Sequence, residues 1–288
     1  VRVAGVKQFL NGVEFRAARL FVSGTLYERV VFKTEYDFAD STNALKDVYL
    51  GLQQIPWLGE LRVGHFYEPF SVEQMGSSRF TTFMERALPV AFSPGRNVGI
   101  DVANTAAGDR IAWAVGAFRD TSDNGLGFDN DDAYNLTGRI AGLPFYADEG
   151  AKLLHLGASY SHQFREADRS AARQRYRERP EAHLAQRFVD TGSAGIAADG
   201  VDLVNASVAG VFGAGSLQSE YTLASVDASS GDRPMLWGAY AEASWFLTGE
   251  HREYDEKKGA FTRVKPTRNF DPSKGDWGAW QIAARYSV

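Results

Sequence analysis

Residues 83–100 read FMERALPVAFSPGRNVGI, which sets Glu85, Arg86 and Arg96 among aromatic and aliphatic neighbours, with two prolines in the run and Arg79 just upstream. A guanidinium offers several N–H donors in one plane, so it suits anions that accept several hydrogen bonds. Five more cations, Arg19, Lys33, Arg62, Arg139 and Arg285, fall on the polar side of strand-like runs. In a narrow passage with low-dielectric walls, such groups focus potential on a passing ion. The competing reading is that these cations pair with Glu35, Glu68, Glu73, Glu85 and Asp101 and only neutralise an interior. Phe83, Met84, Leu88 and Phe92 are expected to pack the segment against a wall while its charges face a path.

Two further segments carry charge. FREADRSAARQRYRERPEAHLAQRF, residues 164–188, holds seven arginines between 165 and 187. They could gather anions at a mouth, bridge the phosphates of lipopolysaccharide, or simply solvate a loop. Tyr176 stands there without repeated aromatic interleaving, and the formal net charge is −5, so nucleic acid is not an expected partner. DTSDNGLGFDNDD, residues 120–132, partly mimics a calcium loop through Asp120, Asn124 and Asp131. Its last ligand position is Asp rather than Glu and no helices flank it, so an acidic loop is the plainer reading.

Enzyme signatures are weak. His65, His155, His162, His183 and His251 lack metal-ligand spacing, and no nucleophile elbow, phosphate-binding loop or dinucleotide fingerprint occurs. Cysteine is absent, which removes disulfides, thiolate metal sites and cysteine nucleophiles. No cofactor is implied and no bond is expected to be made or broken.

The elements that must position these residues show a period of two. In RVVFKTEYDF, residues 29–38, Val30, Phe32, Thr34, Tyr36 and Phe38 alternate with Arg29, Val31, Lys33, Glu35 and Asp37. Side chains of a strand point alternately to opposite faces, so one face is apolar and the other charged. The pattern recurs, as in Trp237, Ala239, Ala241, Ala243 and Trp245 against Gly238, Tyr240, Glu242 and Ser244. The second face is often glycine, serine or charge, which suits a wet lumen better than a soluble core. Trp237 and Trp245 are spaced for two aromatic belts roughly 20 Å apart along a tilted strand. Mean hydropathy is −0.30 and no apolar run is long enough for a transmembrane helix, whereas a transmembrane strand needs only about 10 alternating residues.

Twelve strands are expected, at 14–26, 29–39, 45–53, 60–68, 97–104, 110–118, 135–143, 152–163, 202–213, 215–226, 235–248 and 278–288. GTLYE and FGAGSL read as tight turns containing glycine. Long hydrophilic loops are expected at 119–134, 164–201 and 249–277, on the rim opposite the tight turns. Residues 1–288 read as one all-β domain, a transmembrane antiparallel β-barrel in which 71–96 folds into the lumen as a constriction.

EPFSVEQMGSSRFTTFMERALPVAFSPGRNVGI resembles the phosphate-selective porin O and P family of bacterial outer membranes. LKDVYLGLQ, LRVGHFYEPFS, RPEAHLAQRFVDTG and GAWQIAARYS resemble it in the same order. The resemblance implies an outer-membrane barrel of about sixteen strands, commonly a homotrimer, with a lumen-folded loop and a basic constriction that favours anions such as phosphate. Strands beyond RYSV are therefore expected, because open strand edges are not tolerated in lipid. Arg86 and Arg96 are the foremost candidates for the path. The alternatives are a weakly selective general porin and a plugged structural or adhesive barrel.

Overall fold

The computed structural model describes residues 12–39, 44–121, 124–125, 133–165 and 173–288. Twelve long strands form one meandering antiparallel sheet: β1 (Arg19–Leu26), β2 (Val30–Asp37), β3 (Ala44–Ile55), β4 (Gly59–Tyr67), β5 (Arg96–Ala106), β6 (Ile111–Arg119), β7 (Tyr134–Ala147), β8 (Lys152–Phe164), β9 (Ile196–Phe212), β10 (Gly215–Ala228), β11 (Met235–Phe246) and β12 (Gln281–Ser287). Each pairs with its neighbours in sequence, and a two-residue strand at Arg173–Gln174 adds to the end of β9. β1 and β12 stand at the two ends of the sheet order.

The alternation read from sequence is the alternation of the sheet. Leu50, Val63, Ile100, Val115, Ile140, Leu156, Val204 and Leu217 are exposed, while Glu35, Asp101, Thr137, Ser161, Asn205 and Glu220 are buried. A water-soluble protein distributes these types the other way round. Apolar groups outside and polar groups inside are what a lipid-facing wall around a polar lumen requires. Trp237 and Trp245 are 57% and 54% exposed, so they belong to the outer band and not to a core. Trp237 stacks on Tyr221 toward one rim, while Phe212 and Trp245 lie exposed toward the other.

The turn after β1 differs in detail from expectation. Gly24 lies within the strand, beneath the Phe32 ring, and Tyr27 and Glu28 make the turn at φ of 50° and 60°. Two left-handed residues in succession match the twist of a hairpin, here without glycine. The rims also differ. Connections after odd-numbered strands share one rim, so 249–277, which follows β11, leaves from the rim of the tight turns. The long loops after β6 and β8 lie on the opposite rim, together with the segment after β4.

Segments from both rims fold inward. The segment between β4 and β5 bonds to β5 through Glu68–Asn97, to β8 through Ser71–Ser159, to β10 through Glu220 and to β12 through Arg285. One loop reaching so many strands means that the sheet is rolled around it. Its 3₁₀ turn Leu88–Phe92 brings Phe92 into a cluster with Phe70, Tyr176, Val201, Leu203, Ala224 and Val226. Gly238 makes room for that approach, since a Cβ there would meet Pro89 and Phe92 at 3.2 Å. From the other rim, a small ribbon pairing Tyr254–Asp255 with Ala260–Phe261 enters a second cluster with Val72, Leu143, Leu153, Ala209 and Val211.

Candidate functional site

Among the described residues, two basic cavities lie inside the sheet. The larger, about 720 Å³, is lined by nine arginine and lysine residues against three glutamates. The smaller, about 360 Å³, is lined by seven arginine and lysine residues against three carboxylates. Arg19, Tyr67, Ser78, Arg79, Arg86 and Arg96 line both, so they form the ring between them.

The cations of the ring and of the smaller cavity are held in different ways. Arg19 pairs with Asp37 at 2.7 Å and lies 3.6 Å from Glu35. Lys33 bridges Glu35 and Asp47, each at 2.5 Å, and Arg96 takes the other oxygen of Asp47 at 2.7 Å. Alternation on β2 and β3 thus builds a ladder of opposite charges along one wall. Arg62 lies deeper, bidentate on Asp101 and over the Phe66 ring.

Arg79 and Arg86 are distinct. Among the described residues neither has a carboxylate within ion-pair distance. Arg79 lies over the rings of Phe21 and Phe80. Arg86 donates to the carbonyls of Glu73 (3.1 Å), Gln74 (3.3 Å) and Gly76 (2.7 Å) and to the Tyr67 hydroxyl (3.0 Å). Those neutral acceptors fix its position without a direct ion pair.

Two of the cations named from sequence are drawn away from the cavities. Arg139 lines neither and donates to the backbone oxygens of Lys258 and Gly259, fastening the ribbon that enters from the tight-turn rim. Arg285 pairs with Glu181 at 2.5 Å and with Glu73 at 3.5 Å, donates to Glu85 O and covers the Phe83 ring. Of the carboxylates expected as partners, Glu68 pairs with no arginine among the described residues and accepts from Asn97, Asn135 and Thr137 instead. Burial raises its pKa, against the lowering effect of those three donors. Glu85 takes Arg16 rather than Arg86. Met84 does not pack the loop, being 92% exposed.

The arginine-rich segment divides. Arg165 braces Asn135, Asp120 and Gln163, Arg173 donates to Ala194 O, and Arg175 pairs with Asp190. Arg177, Arg179 and Arg187 line the larger cavity with Lys46, and Arg169 lies outside the described residues. Of the calcium-like loop, only Asp120, Thr121, Asn124 and Gly125 are among the described residues. Asp120 pairs with Arg165, the Asn124 amide oxygen accepts from Leu45 N, and Asp131 lies outside the described residues.

Sequence reading missed Tyr67, whose ring lies 3.8 Å below the Arg96 guanidinium. It also missed Lys258, which lines the smaller cavity from the inserted ribbon. LRVGHFYEPF marked Tyr67 as the end of a strand just before the loop. The ribbon is too short to show any period.

A rolled antiparallel sheet, apolar and aromatic outside, around an interior narrowed by an inserted loop between basic cavities, defines an outer-membrane β-barrel porin. The chain belongs to the phosphate-selective porin O and P family, whose profile matches residues 5–288. It is 30% identical over 282 residues to a protein of Caulobacter vibrioides, covering 96% of this chain and 55% of that one. It is 26% identical over 302 residues to porin O of Pseudomonas aeruginosa, covering 94% and 65%. The chain therefore spans between about half and two thirds of the length of these curated relatives. Similar solved structures include OmpT, an outer-membrane protein of Vibrio cholerae in a trimer form, at 12% identity and a TM-score of 0.39 over 94% of this chain and 91% of that one. An anion-selective porin from Comamonas acidovorans matches at 13% identity and a TM-score of 0.33, covering 94% and 90%. The protein resides in the bacterial outer membrane.

Proposed function

We propose that this chain builds the wall and constriction of a pore that passes small oxyanions, phosphate among them, passively and in preference to cations. One observation carries the reading: Arg79 and Arg86, without an ion-paired carboxylate among the described residues, line both basic cavities at the ring between them. A passing anion would exchange part of its hydration for charge-assisted hydrogen bonds and leave again, because the remaining cations of the ring are already neutralised. Arg177, Arg179 and Arg187 would raise the anion concentration at the mouth. Assembly as a homotrimer belongs to the same proposal.

A second reading has its own support. Arg19, Lys33, Arg62 and Arg96 are each ion-paired, so discrimination among anions would be weak and the pore would act as a general porin. Single-channel recording in a planar bilayer separates the two. An anion-selective reversal potential with block of chloride current by added phosphate supports the first. Anion preference without block supports the second, and the absence of channels from folded protein overturns both.

A further inference from the structure

At its first turn the inserted loop makes three hydrogen bonds to one side chain, beside single contacts with Ser159, Gln218 and Arg285. Glu220 faces inward from the middle of β10 and is 2% exposed. Its carboxylate accepts from Ser71 Oγ (3.1 Å), Val72 N (3.0 Å) and Glu73 N (2.9 Å) of the loop. It also accepts from Asn205 Nδ2 (3.0 Å) and Tyr240 OH (2.8 Å) of the wall. These donors saturate the two oxygens. Ser71 is held at φ 62°, a left-handed conformation that a serine adopts only where its surroundings impose it.

Arg86 grips the same turn from its other end, through the carbonyls of Glu73, Gln74 and Gly76. Backbone N–H groups therefore face the carboxylate and backbone carbonyls face the guanidinium, the favourable orientation of peptide dipoles between opposite charges. Among the described residues, only Tyr67 adds to that hold on the Arg86 head group, by its hydroxyl and its ring.

We propose that Glu220 is a positioning residue for ion selectivity: it fixes the first turn of the loop, and that turn sets Arg86 in the path. Glu220 lines neither basic cavity, so it acts through the turn and touches no permeant ion. The proposal rests on the reading of Arg86 as an anion-facing charge.

The test uses the sign of the effect. Removing a negative charge from the interior should, by simple electrostatics, leave anion preference unchanged or raise it. Positioning demands the opposite. Reversal potentials in a salt gradient are compared for wild type, Arg86→Gln, Glu220→Gln and the double variant. We expect the anion-to-cation permeability ratio to fall by about fivefold in both single variants, the effect of one charge at about 4 Å in water. The double variant should fall no further. An unchanged or raised ratio in Glu220→Gln, beside a fall in Arg86→Gln, overturns the proposal alone. No fall in Arg86→Gln overturns the reading of Arg86 on which it rests. Should Glu220→Gln fail to fold, Ser71→Gly keeps the carboxylate, removes one donor and frees the backbone. A fall of smaller size in that variant supports the proposal, and no fall overturns it.

Discussion

The two halves of the interior began from the same alternation and ended differently. On β2–β5 the inward residues Lys33, Glu35, Asp47, Arg62 and Asp101 form ion pairs beside open cavities. On β9 and β10 the inward residues Val201, Leu203, Ala209, Val211, Ala224 and Val226 are sealed beneath inserted segments. A polar belt at Asn205, Ser207 and Glu220 lies between the two apolar clusters and meets the loop. Alternation identifies the inward face. Whether water or protein fills the space against it depends on which loops fold back.

The sharpest way to break this contrast is to show that a charge in the open half is structural. Asp101 is 1% exposed and its partner is Arg62, so Arg62→Gln strands a buried carboxylate. Loss of about 3–5 kcal/mol is expected in denaturant unfolding from detergent micelles. In the sealed half, Leu203 is fully buried beneath the loops. Leu203→Ala should cost about 2–5 kcal/mol by the same assay while leaving the reversal potential near that of wild type. If selectivity moved as much as stability, the sealed half would also be part of the path. Arg86→Gln should move both readouts. Loss of its hydrogen bonds to the loop carbonyls should lower stability, and anion preference should fall by an amount on the order of 1 kcal/mol, the interaction of unit charges at 4 Å in water.

The twelve strands and their outward faces were legible because period two records a difference between lipid and lumen at every second residue. The inserted loop was legible from an apolar, proline-bearing connector. Pairing was not. Arg96 meets Asp47 across 49 positions, and Arg285 meets Glu73 across 212, distances set by how far the sheet rolls. Nor was the rim of 249–277 apparent, since its length resembles the long loops while the parity of the strands puts it with the tight turns. Arg139 was misjudged for a related reason. Its inward face is real, but the ribbon from that rim covers it.

The smallest expected effect tests how closely the two halves communicate. Glu73 sits where they meet, in the inserted loop, beside Arg285 and near Glu220 and Glu242. Burial, reinforced by those two glutamates and opposed by Arg285 and Arg86, pushes its pKa up to about 7. The folded chain thus holds this proton more tightly than the unfolded chain does. Between the ordinary glutamic acid range and about pH 7, stability should decline as pH rises, then level off once both states are ionised. Ionisation also adds a negative charge next to the grip on Arg86, so anion preference should fall as pH rises through the same value. The change should be smaller than that of Arg86→Gln, because Glu73 lines neither basic cavity. Reversal potentials one pH unit either side, in wild type and Glu73→Gln, check this. Every other titratable group is common to both proteins, so the difference between them isolates Glu73. Equal pH dependence in the two would mean that a charge at the junction of the halves goes unfelt in the path.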